Sequence, residues 1–259
     1  MTIREFEVAG TMFTLEQEGR FQLNPVSTLG LPTALVCGLA SASYTFVDQK
    51  QAILDALTPF QIVSKIWSSQ CVQDMMMLED ANEVQRLVFV GSWFGQQSAM
   101  MARSAQAYQE WKVQLVDKDP EACRMAQALI RMDAYHRRVQ PVVTPRDVFD
   151  LTFEPGSLLV WNGLEHFDAN AVSTFLERHS ECAVVFQSTS MPAHDHVNLA
   201  SCVDDILRAV PEDWDDGILY KGELTTDLGS RYMMAICGPG FEIGDREGDD
   251  VVIEEDHHE

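Results

Sequence analysis

Short apolar runs recur along this chain near residues 87, 114, 141, 159 and 184. Leu87 to Val90, Val113 to Val116, Val139 to Thr144, Ser157 to Trp161 and Cys182 to Phe186 are rich in β-branched and aromatic residues, with little polar alternation. Strands buried on both faces read this way. Helical periodicity fills the gaps, over Gln96 to Arg103, Glu121 to about Tyr135 and Val172 to Arg178. The order βαβαβαβαβ with short connections predicts a doubly wound, mostly parallel Rossmann-like sheet over residues 81–240.

Residues 1–80 read differently. Phe6 to Val8 and Met12 to Glu16 flank Ala9-Gly10 as short strands, and Leu31 to Ala42 is apolar and small, as a helix would be. From Asp48 to about Glu79 the helical spacing is clear, through Ile53, Leu54, Leu57, Phe60, Val63, Ile66 and Trp67, with a restart at Thr58-Pro59. This region is expected to form an N-terminal cap on the α/β core. Residues 241–259, with nine acids from Glu242 onward against Arg246 alone, read as an acidic, solvated tail.

The turn after the first core strand carries the chemistry. Gly91-Ser92-Trp93-Phe94-Gly95 leads from strand to helix, where backbone N–H groups point out of a helix N-terminus at the carboxyl edge of a sheet. Its G-x-x-x-G spacing differs from the dinucleotide fingerprint G-x-G-x-x-G, and an ordinary βα turn with Trp93 and Phe94 as core lid explains it equally well. Some twenty residues on, the second strand ends in Asp117. An acid there suits the two hydroxyls of a ribose, whether in a nicotinamide, flavin or S-adenosylmethionine site. Asp119-Pro120-Glu121 reads as a helix cap and start. Asp147, beyond the third strand, suits an adenine amino group or a plain loop turn.

These stretches resemble a class I S-adenosylmethionine-dependent methyltransferase from about Lys65 to Gly238. Val-Phe-Val-Gly-Ser-Trp-Phe-Gly is similar to the family's first motif, with Trp-Phe in place of small residues; Leu-Val-Asp-Lys-Asp-Pro is similar to its acidic motif after that, and Arg-Asp-Val-Phe to its adenine-side loop. The G-S-W-F-G loop, Trp161 to His166 and Gln187-Ser188 with His194 to Asn198 resemble a poorly characterised, partly phage-encoded group of methyltransferase-like proteins. The resemblance implies S-adenosylmethionine as cofactor, held by Gly91, Ser92, Trp93, Gly95, Asp117 and Asp147. It also implies a final antiparallel hairpin at the sheet edge, from Tyr220 to Leu224 and Ser230 to Met233. The Asn/Asp-Pro-Pro-Tyr/Phe motif of amino-methylating nucleic-acid enzymes is absent, which takes support from nucleobase N-methylation.

Methyl transfer asks for in-line approach and sometimes a base. Asn162, Glu165 and His166 follow the fourth strand, where the methyl group should point, and are the candidate catalytic residues; a local turn or helix cap is the plainer account of His166. His194-Asp195-His196, with Glu165 as a third ligand, has the composition of a metal site. A structural or substrate-contacting role fits that pattern better, so no metal is assigned.

Composition narrows the partners. With 18 Lys and Arg against 40 Asp and Glu the formal net charge is −22, a field that repels duplex nucleic acid and suits a small molecule, a basic protein partner or mimicry of nucleic acid itself. The six cysteines, Cys37, Cys71, Cys123, Cys182, Cys202 and Cys237, show no C-x-x-C spacing and sit mostly in apolar runs, as buried free thiols do in a reducing compartment. No run spans a membrane and no signal-peptide pattern opens the chain, so the expected location is cytoplasmic. Two functions remain: a methyltransferase acting on an unknown acceptor, or a catalytically silent methyltransferase-like protein whose acidic surface engages a host or regulatory protein. If Trp93 or Phe94 fills the adenosine pocket, the silent reading wins. A nicotinamide oxidoreductase ranks third, for want of its glycine spacing.

Overall fold

A computed structural model of the chain describes residues 1–25, 50–78, 86–104 and 111–241. The helix expected over Leu31 to Ala42, Cys37 and the acidic tail lie outside the described residues. Nine strands form one sheet: β1 (Thr2–Val8), β2 (Thr11–Gly19), β3 (Arg86–Val90), β4 (Lys112–Asp117), β5 (Val142–Pro145), β6 (Ser157–Asn162), β7 (Ala183–Thr189), β8 (Ile218–Thr226) and β9 (Gly229–Cys237). Their order is β1-β2-β8-β9-β7-β6-β3-β4-β5. Among the described residues the six α-helices are α1 (Lys50–Asp55), α2 (Pro59–Met76), α3 (Gln96–Ser104), α4 (Pro120–Met132), α5 (Ala134–Val139) and α6 (Ala169–Glu177). Among the described residues no helix is long and apolar enough to cross a membrane.

The strands from β3 to β7 pair in parallel, β5-β4-β3-β6-β7, with the chain adding strands to one side of β3 first and then crossing to the other at β6. This is the Rossmann-like α/β core. Alternate residues serve opposite layers. Leu87 and Phe89 of β3, with Leu158 and Val160 of β6, pack on Val63, Trp67 and Cys71 of α2; Val88 and Val90, with Leu159 and Trp161, pack on Val172, Phe175 and Leu176 of α6. A core strand therefore buries both of its faces, which is why its sequence shows no polar alternation. Each such aliphatic or aromatic side chain contributes about 1.5–3 kcal/mol by leaving water.

The sheet as a whole is mixed rather than mostly parallel. Four of its strand pairs, β1–β2, β2–β8, β8–β9 and β7–β9, are antiparallel. Strands β8 and β9 consequently lie inside the sheet, not at its edge, because β2 pairs with β8. Gly19 permits that approach, since a Cβ there would sit 2.3 Å from the carbonyl oxygen of Leu219. Beneath the added strands, Trp67 Nε1 donates to the Tyr220 hydroxyl at 2.8 Å, which donates to Gln17 Oε1 at 3.1 Å.

Two boundaries differ from the periodicity. The helix expected to run to Tyr135 breaks at Asp133, which is extended at φ −97°, and resumes as α5. The third core strand starts at Val142 rather than Val139: residues up to Val139 are helical, and Gln140 takes φ +51° before Pro141. Proline disfavours the right-handed helical region in the residue before it, so α5 ends ahead of Gln140.

Candidate functional site

A cavity of about 860 Å³ opens at the carboxyl ends of the parallel strands, within the size range of ligand pockets. All nine residues singled out in the sequence line it: Gly91, Ser92, Trp93 and Gly95 after β3, Asp117 ending β4, Asp147 after β5, and Asn162, Glu165 and His166 at the end of β6 and beyond. They converge because each follows a parallel strand at the same edge.

The β3–α3 loop is shaped by left-handed backbone at Gly91 (φ +60°), Trp93 (φ +50°) and Gly95 (φ +74°). A side chain at Gly91 would sit 3.2 Å from the carbonyl oxygen of Asn162, so glycine eases the close passage of the loop over β6. Ser92 N–H donates to the carbonyl of Val116 at 3.1 Å, tying the loop to β4. Phe94 is 1% exposed and packs with Ile62, Ile66 and Met125 away from the cavity; the Trp93 ring lies tilted against it at 4.3 Å between ring centroids and forms cavity wall. Neither aromatic fills the space.

Asp117 does double duty. Its Oδ2 accepts from Trp93 N–H at 2.8 Å and its Oδ1 from Asp119 N–H at 2.9 Å. Burial raises its pKa, against the pull of those two N–H donors. Asp119 caps α4 by accepting from Glu121 N–H. Asp147 caps the 3-10 turn Val148–Asp150 through Phe149 N–H at 3.1 Å while lining the cavity.

The opposite end of the cavity is a buried polar cluster. Asn162 Nδ2 donates to Gln97 Oε1 at 2.5 Å, and Gln97 Nε2 donates to Ser68 Oγ on α2 at 2.9 Å. Glu165, 2% exposed, pairs through Oε1 with Arg231 Nη1 of β9 at 3.0 Å. Lys65 of α2 lines the same cavity, its pKa lowered to about 7 by burial first and by the charge of Arg231 second, with Glu165 opposing. At neutral pH that amine is in part uncharged. Asn162 Oδ1, Glu165 Oε2, Ser92 Oγ and Arg231 Nε are buried without a partner among the described residues.

Sequence reasoning missed Lys65, Gln97 and Arg231. Lys65 sits amid buried positions of α2, and Arg231 inside the otherwise apolar β9; a charge within such runs is the available signal. The His-x-His pair does not converge. The side chain of His194 is 97% exposed, and the ring beside His196 is that of His166, at 4.7 Å between centroids.

No protein-family profile and no curated protein matches the chain. Solved structures do. Magnesium protoporphyrin IX methyltransferase from Synechocystis PCC 6803, with bound S-adenosylmethionine, is 16% identical over 81% of this chain and 99% of that one, with a TM-score of 0.49. A protein from Pyrococcus horikoshii OT3 is 11% identical over 71% and 93%, with a TM-score of 0.46. An M. capricolum protein in complex with S-adenosylhomocysteine is 12% identical over 69% and 71%, with a TM-score of 0.43.

Proposed function

We propose that this chain is an S-adenosylmethionine-dependent methyltransferase. The observation that carries the reading is one cavity joining a glycine-hinged loop, two strand-end carboxylates and a buried acid–base cluster. The donor set fits the cofactor. Asp117 uses one lone pair on each oxygen, and a carboxylate has about four, so about two remain for a ribose diol. Asp147 is left to face the adenine side, and the orphaned oxygens of Ser92 and Asn162 await donors such as an amino group.

When bound, the cofactor supplies a methyl group activated on a sulfonium. The chain's own part is positioning and proton removal. The Trp93 wall and the Asp117 anchor fix the loop against which the nucleoside lies. Glu165, held by Arg231 through one oxygen, keeps the other to orient the acceptor or take its proton. His166 stands at the solvent-facing side of the same turn.

Calorimetric titration with S-adenosylmethionine and S-adenosylhomocysteine tests this. Micromolar binding is expected, weakened about 10- to 100-fold in Asp117→Ala, the worth of a hydrogen bond to a charged group. Unchanged affinity in that variant removes Asp117 from the site. Absence of heat at millimolar ligand, from folded protein, refutes the reading.

A further inference from the structure

We propose that Glu165, His166 and His196 form a binding site for a divalent transition-metal ion. One ligand atom from each lies within 4.8 Å of the other two. Two loops supply them, the 3-10 turn Leu164–His166 after β6 and the segment after β7.

The hydrogen bonds around the cluster prepare each ligand. His196 Nδ1 lies 2.7 Å from the carbonyl oxygen of Met191. A carbonyl only accepts, so Nδ1 carries a proton, and in the neutral imidazole the lone pair is that of Nε2. His166 Nδ1 lies 3.1 Å from Asp195 Oδ2, and the same argument leaves its Nε2 free. Imidazoles whose second nitrogen is held by a carbonyl or a carboxylate are oriented for metal in this way. Glu165 supplies the third atom. Arg231 occupies Oε1, while Oε2 is buried and has no partner among the described residues, although the residue is only 2% exposed. A buried carboxylate oxygen left bare costs free energy that a cation recovers.

The two loops are also fixed to each other. The carbonyl of Glu165 accepts from Val197 N–H at 2.7 Å and from Asn198 N–H at 3.0 Å, which holds His196 beside His166. Ligand atoms in a tetrahedral zinc site stand about 3.4 Å apart, from metal–nitrogen distances of about 2.1 Å. The remaining gap of about 1.4 Å is to be closed by small shifts of the two loops that keep both Nδ1 contacts, and the exposure of His166 gives the ion a way in. Two imidazoles with one carboxylate favour zinc, cobalt, manganese or ferrous ions over magnesium and calcium, and three protein ligands leave positions open. Arg231 offsets the charge of Glu165, and Asp195 restores a negative charge behind His166. The site shares Glu165 with the acceptor end of the cavity, but metal binding there does not require a bound cofactor. Its rival is a simple ion pair between protonated His166 and Asp195, which needs no metal.

Cobalt(II) titration of the chelator-treated full chain, followed by visible d–d absorption, decides between them. His257→Ala/His258→Ala serves as parent, to remove the tail histidines. One cobalt per chain is expected, displaced by zinc and raising the melting temperature. His196→Ala and His166→Ala should each lose the bands and the thermal shift. His194→Ala should match the parent, and Asp195→Asn should bind about 10- to 100-fold more weakly. If His196→Ala lowers the metal-free melting temperature, His166→Ala, at an exposed position, carries the comparison. Substoichiometric cobalt in the parent, bands that persist in His166→Ala, or a loss in His194→Ala as large as in His196→Ala would overturn the assignment.

Discussion

Removing one member of the Arg231–Glu165 pair should cost far more than removing both. The two residues are 8% and 2% exposed and meet at 3.0 Å, and the Arg231 guanidinium also lies 5.6 Å from the centre of the Phe60 ring. Arg231→Met leaves a carboxylate buried with neither oxygen partnered; Glu165→Gln leaves a guanidinium without its counter-charge. Breaking a buried pair from one side costs about 3–5 kcal/mol, whereas replacing both by neutral groups of similar volume is often close to neutral. At about 2–4 °C per kcal/mol for a chain of this size, each single variant should melt about 6–20 °C lower. The double variant Glu165→Gln/Arg231→Met should recover most of that loss, apart from about 0.5–2 kcal/mol for the lost contact with Phe60. Far-UV circular dichroism melts in chelator read the four proteins without a contribution from bound ion. A double variant that loses the sum of the two single losses would show that the residues are energetically independent, and the reasoning would fail.

Two further outcomes follow from the packing. His179 donates from Nδ1 to the Phe175 carbonyl at 2.7 Å and accepts at Nε2 from Phe153 N–H at 3.2 Å, so the fold holds its neutral form. Burial lowers its pKa from the ordinary value near 6.5, with the Phe175 carbonyl opposing. Its contribution is therefore complete above about pH 6.5 and is lost as the pH falls through the lower, folded value; His179→Gln should flatten that part of the acid limb in denaturation series between pH 5 and 8, and a limb unchanged from wild type would rule the residue out. Tyr220→Phe leaves Trp67 Nε1–H without its acceptor, while Gln17 Oε1 keeps Leu23 N–H as a donor at 3.1 Å, a loss of about 1–3 kcal/mol that should lower the urea midpoint with an unchanged slope; an unmoved midpoint would mean that the buried indole does not depend on this hydroxyl.

The core strands were legible because burial on both faces leaves a continuous apolar signature, as in Leu87 to Val90 or Cys182 to Phe186. The residues at their carboxyl ends were legible for a related reason: topology brings Gly91, Asp117 and Asn162 to one edge whatever lies between them. Partners set by long-range pairing were not. Nothing in Thr11 to Gly19 says that the strand will lie against residues 218–226, so the sheet read as mostly parallel with a hairpin at its edge. Gln140 and Pro141 shortened the third strand through backbone restrictions that an apolar count overlooks. The pairing of His196 with His166 rather than His194 is a matter of loop geometry, which spacing in the sequence does not encode.

The pairing of β2 with β8 also sets an order of events. Gln17 and Tyr220, which share a hydrogen bond, are separated by 203 residues. At a synthesis rate of about 5–20 residues per second, the first hairpin waits roughly 10–40 s for its partner strand to be made. Phe13 and Leu15, fully buried in the finished sheet, stay uncovered through that interval. Strands made so many residues before their partner are thus among the last to find their place, and a nascent chain must keep them from pairing with a neighbour's.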